Sequence, residues 1–131
     1  MRMFLDASVL IAAARGTDEE SQKAMLVLDD PDRVFVASEF LKLEVLPKAI
    51  YNGKQDEVAF YNTFFAAVAE WPESNEAVLR RAQHEANQFG LSALDALHVA
   101  AAAILDADEL VTLERERKPI HRVDCVAVRS L

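Results

Sequence analysis

Apolar residues fall in short blocks along this chain, and their spacing switches between continuous runs and the three-and-four rhythm of a helix. Residues 2–5 form an apolar run that breaks at Asp6, Ala7 and Ser8, and residues 9–14 resume with helical character, so strand, turn and helix are predicted. Thr17 with Glu20 three residues on has the form of a capping box opening a helix to about Leu28, with Ala24, Met25 and Leu28 turned inward. Residues 29–32 end it. Residues 34–37 are β-branched and aromatic enough for a second buried strand. Ser38 is a good N-cap for a helix carrying Phe40, Leu41, Val45 and Leu46, which Pro47 is expected to bend or end.

From about Gln55 another helix shows Val58, Tyr61 and Phe65 on one stripe, widened by Phe60 and Phe64. Residues 67–71 could prolong that helix or form a third strand, and a strand is favoured. Val78, Ala82, Ala86 and Phe89 mark a further amphipathic helix, stopped by Gly90. Ser92 restarts helix, and residues 92–105 are apolar on nearly every side, as a central buried helix should be. Residues 109–113 and 124–128 supply the last two strands. Strands alternating with helices imply right-handed crossovers and an α/β fold whose parallel sheet is covered on both faces.

Composition narrows this picture without changing it. A chain of 131 residues, 52% apolar and 27% charged, with three glycines and four prolines, is expected to form one domain over 1–131. Cys125 is the only cysteine, so no intramolecular disulfide can form, and a buried inert thiol is the expected role. The opening apolar run is too short for a secretory signal, and no stretch approaches the roughly 20 residues that span a bilayer, so a cytoplasmic protein with no membrane association is expected. Fourteen basic against 22 acidic residues give a net charge of −8, which argues against a nonspecific nucleic-acid coat protein. A nuclease survives this test, because carboxylates gathered around a cation are neutralised by it.

The informative acids are those placed where a core should be apolar. Asp6 ends an apolar strand, and ligand sites in open parallel sheets lie beyond the carboxyl ends of the strands; read alone it is a helix N-cap. Glu44 follows Phe40 and Leu41 on an apolar helix face, with Lys48 at i+4 as an alternative ion-pair partner. Asp95 enters the most buried helix near its positive dipole end, three residues after Ser92, where capping and metal binding can coexist. Glu114 lies just past the fourth strand, at the head of a charged run. One explanation covers all four: oxygen ligands drawn together around Mg2+ or Mn2+. His84, His98 and His121 are scattered and offer no zinc pattern, and His98 is read as a hydrogen-bonded core residue rather than a general base.

With these residues in place the chain resembles a PIN domain and, within that family, is similar to the VapC-like toxins of toxin–antitoxin pairs. The resemblance spans essentially the whole chain. It rests on the run from Phe4 to Leu10, on Glu44 in the helix after the second strand, on the run from Leu91 to His98, and on the run from Ala107 to Glu114. It implies a doubly wound, three-layer α/β/α fold with a mainly parallel sheet of four to five strands. It also implies a metal-dependent endoribonuclease holding Mg2+ or Mn2+ through Asp6, Glu44, Asp95 and Glu114, with Ser8 and Thr112 assisting. RNA as substrate, an antitoxin as partner and a homodimer follow by the same analogy. Arg115, Arg117 and Lys118 could contact flanking phosphates, against the alternative of solvent-facing charge. Two positions depart from the family pattern: Glu114 stands where aspartate is commoner, and Arg117 stands where relatives carry an aromatic.

Two rival readings differ in class. A PIN-like binding or regulatory module would keep the fold and act through a protein partner with weakened chemistry. A phosphoacceptor receiver domain has similar length, but the paired acids after the first strand are missing and the last strand offers only Arg129.

Overall fold

A computed structural model describes residues 1–131. Four strands, β1 (Arg2–Leu5), β2 (Val34–Val36), β3 (Glu109–Thr112) and β4 (Ala127–Ser130), form one sheet in the order β2-β1-β3-β4. All three pairings are parallel, with Met3 opposite Phe35, Phe4 opposite Leu110, and Leu110 opposite Val128. Met3, Phe4 and Leu5 of the central β1 are fully buried, as a strand covered on both faces requires.

Six helices make the crossovers: α1 (Ala7–Arg15), α2 (Glu19–Leu28), α3 (Glu39–Tyr51), α4 (Gln55–Ala66), α5 (Asn75–Phe89) and α6 (Ala93–Ile104). The chain leaves β1 for β2 on one side through α1 and α2. It then returns past β1 to β3 on the other side through α3 to α6. Right-handed crossovers taken in opposite directions put their helices on opposite faces, which is the doubly wound arrangement. The order therefore reverses between β1 and β3, and the crevice beyond their carboxyl ends is the ligand position such sheets provide. No helix is long and apolar enough to cross a membrane.

The core explains the helix faces. In α6, Ala96, Val99, Ala100, Ala101 and Ala102 are buried; small side chains let this helix sit close to the sheet. Tyr61, Phe64 and Phe65 of α4 are buried as its stripe predicts, and Phe65 packs on Trp71 with ring centroids 5.9 Å apart. Gly90 closes α5 in the left-handed region at φ 69°, a conformation that favours glycine.

Four local expectations are corrected. The N-cap of α2 is Asp18 rather than Thr17: its side chain accepts from the Ser21 N–H at 2.8 Å, so the helix starts one residue later than the capping box proposed. Pro47 does not end α3, which runs on to Tyr51. The carbonyl that Pro47 leaves without a helical donor belongs to Leu43, which is 68% exposed and open to water. The third-strand segment makes only a single parallel bridge, Val36 to Glu70, with the Ala69 N–H donating to the Phe35 carbonyl at 2.9 Å. The last strand begins at Ala127, not at 124, because its register is set opposite Glu109, where Arg129 Nε meets Glu109 Oε2 at 2.7 Å.

Candidate functional site

Asp6 is the residue at which β1 becomes α1. Its extended backbone (φ −77°, ψ 173°) makes it the N-cap, and Oδ1 accepts from the Val9 N–H at 3.4 Å. Two hydroxyls hold the rest of the carboxylate. The Ser8 hydroxyl donates to Oδ1, and the Thr112 hydroxyl donates to Oδ2 at 2.6 Å. Each hydroxyl also accepts a backbone N–H from the chain beyond β3: Leu113 to Ser8 and Glu114 to Thr112, both at 3.0 Å. The Asp6 N–H donates to the Val111 carbonyl at 3.0 Å. The carboxyl ends of β1 and β3 are thus clasped through one carboxylate that is only 5% exposed.

Burial is the largest influence on this group and pushes its carboxyl above the usual range; the Ser8 and Thr112 hydrogen bonds, and the nearby charge of His98, pull it back. Asp95 stands in the first turn of α6. It too is raised, first by burial and then by the negative charges of Asp6 and Glu114, with His98 opposing. Ser92 is the N-cap of α6, but its hydroxyl makes no capping bond, so the reciprocal capping box expected between Ser92 and Asp95 is not formed. Asp6, Asp95 and Glu114 therefore share one negative field at the switch between β1 and β3.

Glu44 lies differently. It is on α3, and its Oε1 accepts a hydrogen bond from His98 Nε2 at 2.6 Å. The expected alternative of a Glu44–Lys48 pair does not form. His98 is 2% exposed, packs its ring on Phe4 at 5.6 Å, and leaves Nδ1 buried with no partner. It is a hydrogen-bonded core residue, as its setting in the sequence suggested. What the sequence did not disclose is that its bond goes to one of the candidate acids.

The remaining candidates stand at the rim. The Glu114 carbonyl accepts from His121 Nε2 at 2.9 Å, which fixes the backbone after β3. Arg115, Arg117 and Lys118 are exposed and make no side-chain ion pairs. Cys125 is half-buried rather than buried; burial and the neighbouring Glu85 hold its thiol protonated, so the inert role fits. That buried Glu85, paired with Arg81 Nε at 3.1 Å, was not singled out from sequence.

The donor set suits a hard cation: carboxylates and hydroxyls, no thiolate within it, and two acids whose carboxyls burial raises. Its geometry suits one less well. No three Asp, Glu, His or Cys side chains converge as a ready ligand group, and one oxygen of Glu44 is bonded to His98.

An acidic crevice lies at the switch point of a doubly wound parallel sheet, the position at which open sheets of this kind bind ligands. The chain belongs to the PIN domain family: the family's sequence model matches residues 3–124. Solved structures of the same fold include VapBC2 from Rickettsia felis bound to a DNA fragment from the promoter, with a TM-score of 0.73, 16% identity, and 100% of this chain and 99% of that chain covered. VapBC-1 from nontypeable Haemophilus influenzae gives 0.70 at 20% identity, covering 99% and 98%. A toxin-antitoxin complex from Klebsiella pneumoniae gives 0.69 at 19%, covering 95% of each chain. A search of curated protein sequences returned no match.

Proposed function

We propose that this chain is a metal-dependent endoribonuclease that hydrolyses RNA phosphodiester bonds and serves as the toxin of a toxin–antitoxin pair. The observation that carries the reading is the shared field of Asp6, Asp95 and Glu114, in which two carboxyls are raised and no basic side chain pairs with them. Such a cluster is offset best by a divalent cation, and its oxygen donors favour Mg2+ or Mn2+. When bound, the cation supplies Lewis acidity toward a phosphodiester and lowers the pKa of water.

The chain's own residues do the positioning. Ser8 and Thr112 fix both oxygens of Asp6, and Asp95 is carried on a helix anchored in the core. In this reading Asp6, Asp95 and Glu114 hold the cation, with Glu44 the fourth acid of the pocket, and the exposed Arg115 and Arg117 take flanking phosphates. An antitoxin would cover the crevice; the Klebsiella pneumoniae neighbour, itself a toxin-antitoxin complex, supports that partner. A homodimer and a cytoplasmic location belong to the same reading.

The separation of the acids favours one alternative, a binding or regulatory module with weakened chemistry. Cleavage of an RNA panel in Mn2+ by wild type, Asp6→Ala and Asp95→Asn decides between them. Wild-type cleavage lost in both variants is expected. Equal activity in wild type and Asp6→Ala would overturn the nuclease assignment, and partner binding by a wild type that cuts nothing would establish the alternative.

A further inference from the structure

We propose that the recess between α1, α3 and α4 is a phosphate-binding subsite for the RNA strand where it leaves the crevice on the Glu44 side. The proposal rests on the nuclease reading above and deepens it. Arg115 and Arg117 take one flank of the strand, and Arg15, Lys48, Asn52, Lys54 and Tyr61 take the other.

The recess has a volume of about 80 Å³, room for one phosphate group or for two or three waters of about 30 Å³ each. Arg15, Lys48 and Lys54 supply its cations, and Glu44 and Glu57 its acids. Each acid already has a partner: Glu44 Oε1 meets His98 Nε2 at 2.6 Å, and Glu57 Oε1 meets Arg15 Nε at 3.4 Å. Lys48 and Lys54 form no ion pair, and Arg15 is tied through Nε alone, which leaves both terminal nitrogens of its guanidinium free. In a chain of net charge −8, three cations around one recess reverse the field locally.

The floor of the recess supplies an independent observation. Tyr61 is 1% exposed, yet its hydroxyl makes no hydrogen bond within the protein. The phenol feels the charges of Glu57 and Arg15, which places it among the recess's own charged groups, and burial keeps it protonated. Such a hydroxyl is a donor without an acceptor, and a phosphate oxygen beside three cations completes it.

Glu44 joins the recess to the crevice. Lys48 lies one turn beyond it on α3, and Arg15 ends the helix that Asp6 caps, roughly 14 Å away at 1.5 Å per residue. A strand held at the crevice covers that distance within about four nucleotides even when stacked at 3.4 Å each. An acidic protein segment would meet the same cations, but the shared wall at Glu44 favours the strand that the crevice itself holds.

The test compares Lys48→Ala/Lys54→Ala and Tyr61→Phe with Lys23→Ala, which removes a charge from α2 outside the recess. Binding of a fluorescent single-stranded RNA panel is followed by anisotropy in Mg2+, with each change placed in an Asp95→Asn chain to prevent cleavage. The double variant is expected to bind about tenfold more weakly, and the slope of log affinity against log salt to fall by about 0.7 for the one phosphate released. Tyr61→Phe is expected to weaken RNA about threefold without lowering the melting temperature, since the hydroxyl bonds nothing inside the protein. In chains that keep Asp95, Mn2+-dependent cleavage by the double variant is expected to show KM raised about tenfold and kcat within about threefold, with Lys48→Arg/Lys54→Arg restoring KM. A double variant that matches Lys23→Ala in affinity and salt slope, while wild type cleaves RNA, would overturn this proposal alone. If that variant also lost its protein partner, the recess would belong to an acidic segment of the partner. A wild type that cuts no RNA would overturn the nuclease reading and this proposal with it.

Discussion

Replacing Thr112 by valine keeps the branched shape and removes the hydroxyl that ties β3 to Asp6. That hydroxyl donates to Asp6 Oδ2 at 2.6 Å and accepts the Glu114 N–H at 3.0 Å, from a residue with no exposed surface. A hydrogen bond to a charged group contributes roughly 1.5–3 kcal/mol. The Glu114 N–H lies on a partly exposed residue and can turn to water, so its loss adds at most about 1 kcal/mol. Thr112→Val is therefore expected to cost about 2–4 kcal/mol near neutral pH. Over 131 residues that lowers the melting temperature by roughly 7–15 °C. Thr112→Ser keeps both bonds and loses one buried methyl, about 1 kcal/mol. The difference should shrink in acid, where Asp6 takes up a proton and the bond is no longer charge-assisted. Calorimetry and urea titration of the two variants check this across pH. A Thr112→Val protein as stable as Thr112→Ser at pH 7 would refute the view that this hydroxyl holds the carboxylate.

Other expectations follow from the same geometry. Asp95 has a raised folded-state pKa, so the stability linked to its protonated form is complete below the ordinary carboxyl value of 3.8 and is lost as pH rises through the folded value. In chelator, Asp95→Asn should therefore melt above wild type at pH 7, with the gap closing toward pH 3.8; a variant that melts lower at pH 7 would contradict it. Mn2+ at a hundred times the wild-type dissociation constant should add about 2.7 kcal/mol to wild type and, at about tenfold weaker affinity, about 1.4 kcal/mol to Asp95→Asn, narrowing or reversing the gap between them. At the start of α2, Asp18→Ala should cost about 1 kcal/mol in denaturant titration and Thr17→Ala close to nothing, since Asp18 makes the capping bond.

Much of the fold was legible because burial leaves a period in the sequence. The run from Met3 to Leu5, the aromatic stripe of Tyr61, Phe64 and Phe65, and the alanines of α6 each read as what they became. The misreadings occurred where two neighbouring residues can do the same job or where the partner is remote. Thr17 and Asp18 are both good caps, and only the backbone decides which one meets a free N–H. Residues 67–71 have strand composition, yet they meet β2 at one point beyond its end and do not extend into a ladder. At the site, Asp6 and Asp95 were legible as acids in apolar settings, and their raised pKa values express that same misfit. The Glu44–His98 bond was not, because it depends on how α3 docks against α6.

The three acids of the crevice are not held alike, and this bears on what a cation must do. Asp6 caps α1 and Asp95 lies in the first turn of α6, so each sits at the positive end of a helix dipole worth roughly half a charge. Asp6 has three hydrogen-bond donors besides. The fold therefore offsets part of both charges unaided. Glu114 has no helix behind its carboxylate; only its backbone is tied, by Thr112 and His121. Asp6 is also a structural member of the β1–β3 clasp, so its substitution disturbs fold and site together. Asp95 and Glu114 separate the two roles, and in the proposed reading Glu114 would depend more on the cation, since its side chain makes no hydrogen bond or ion pair of its own.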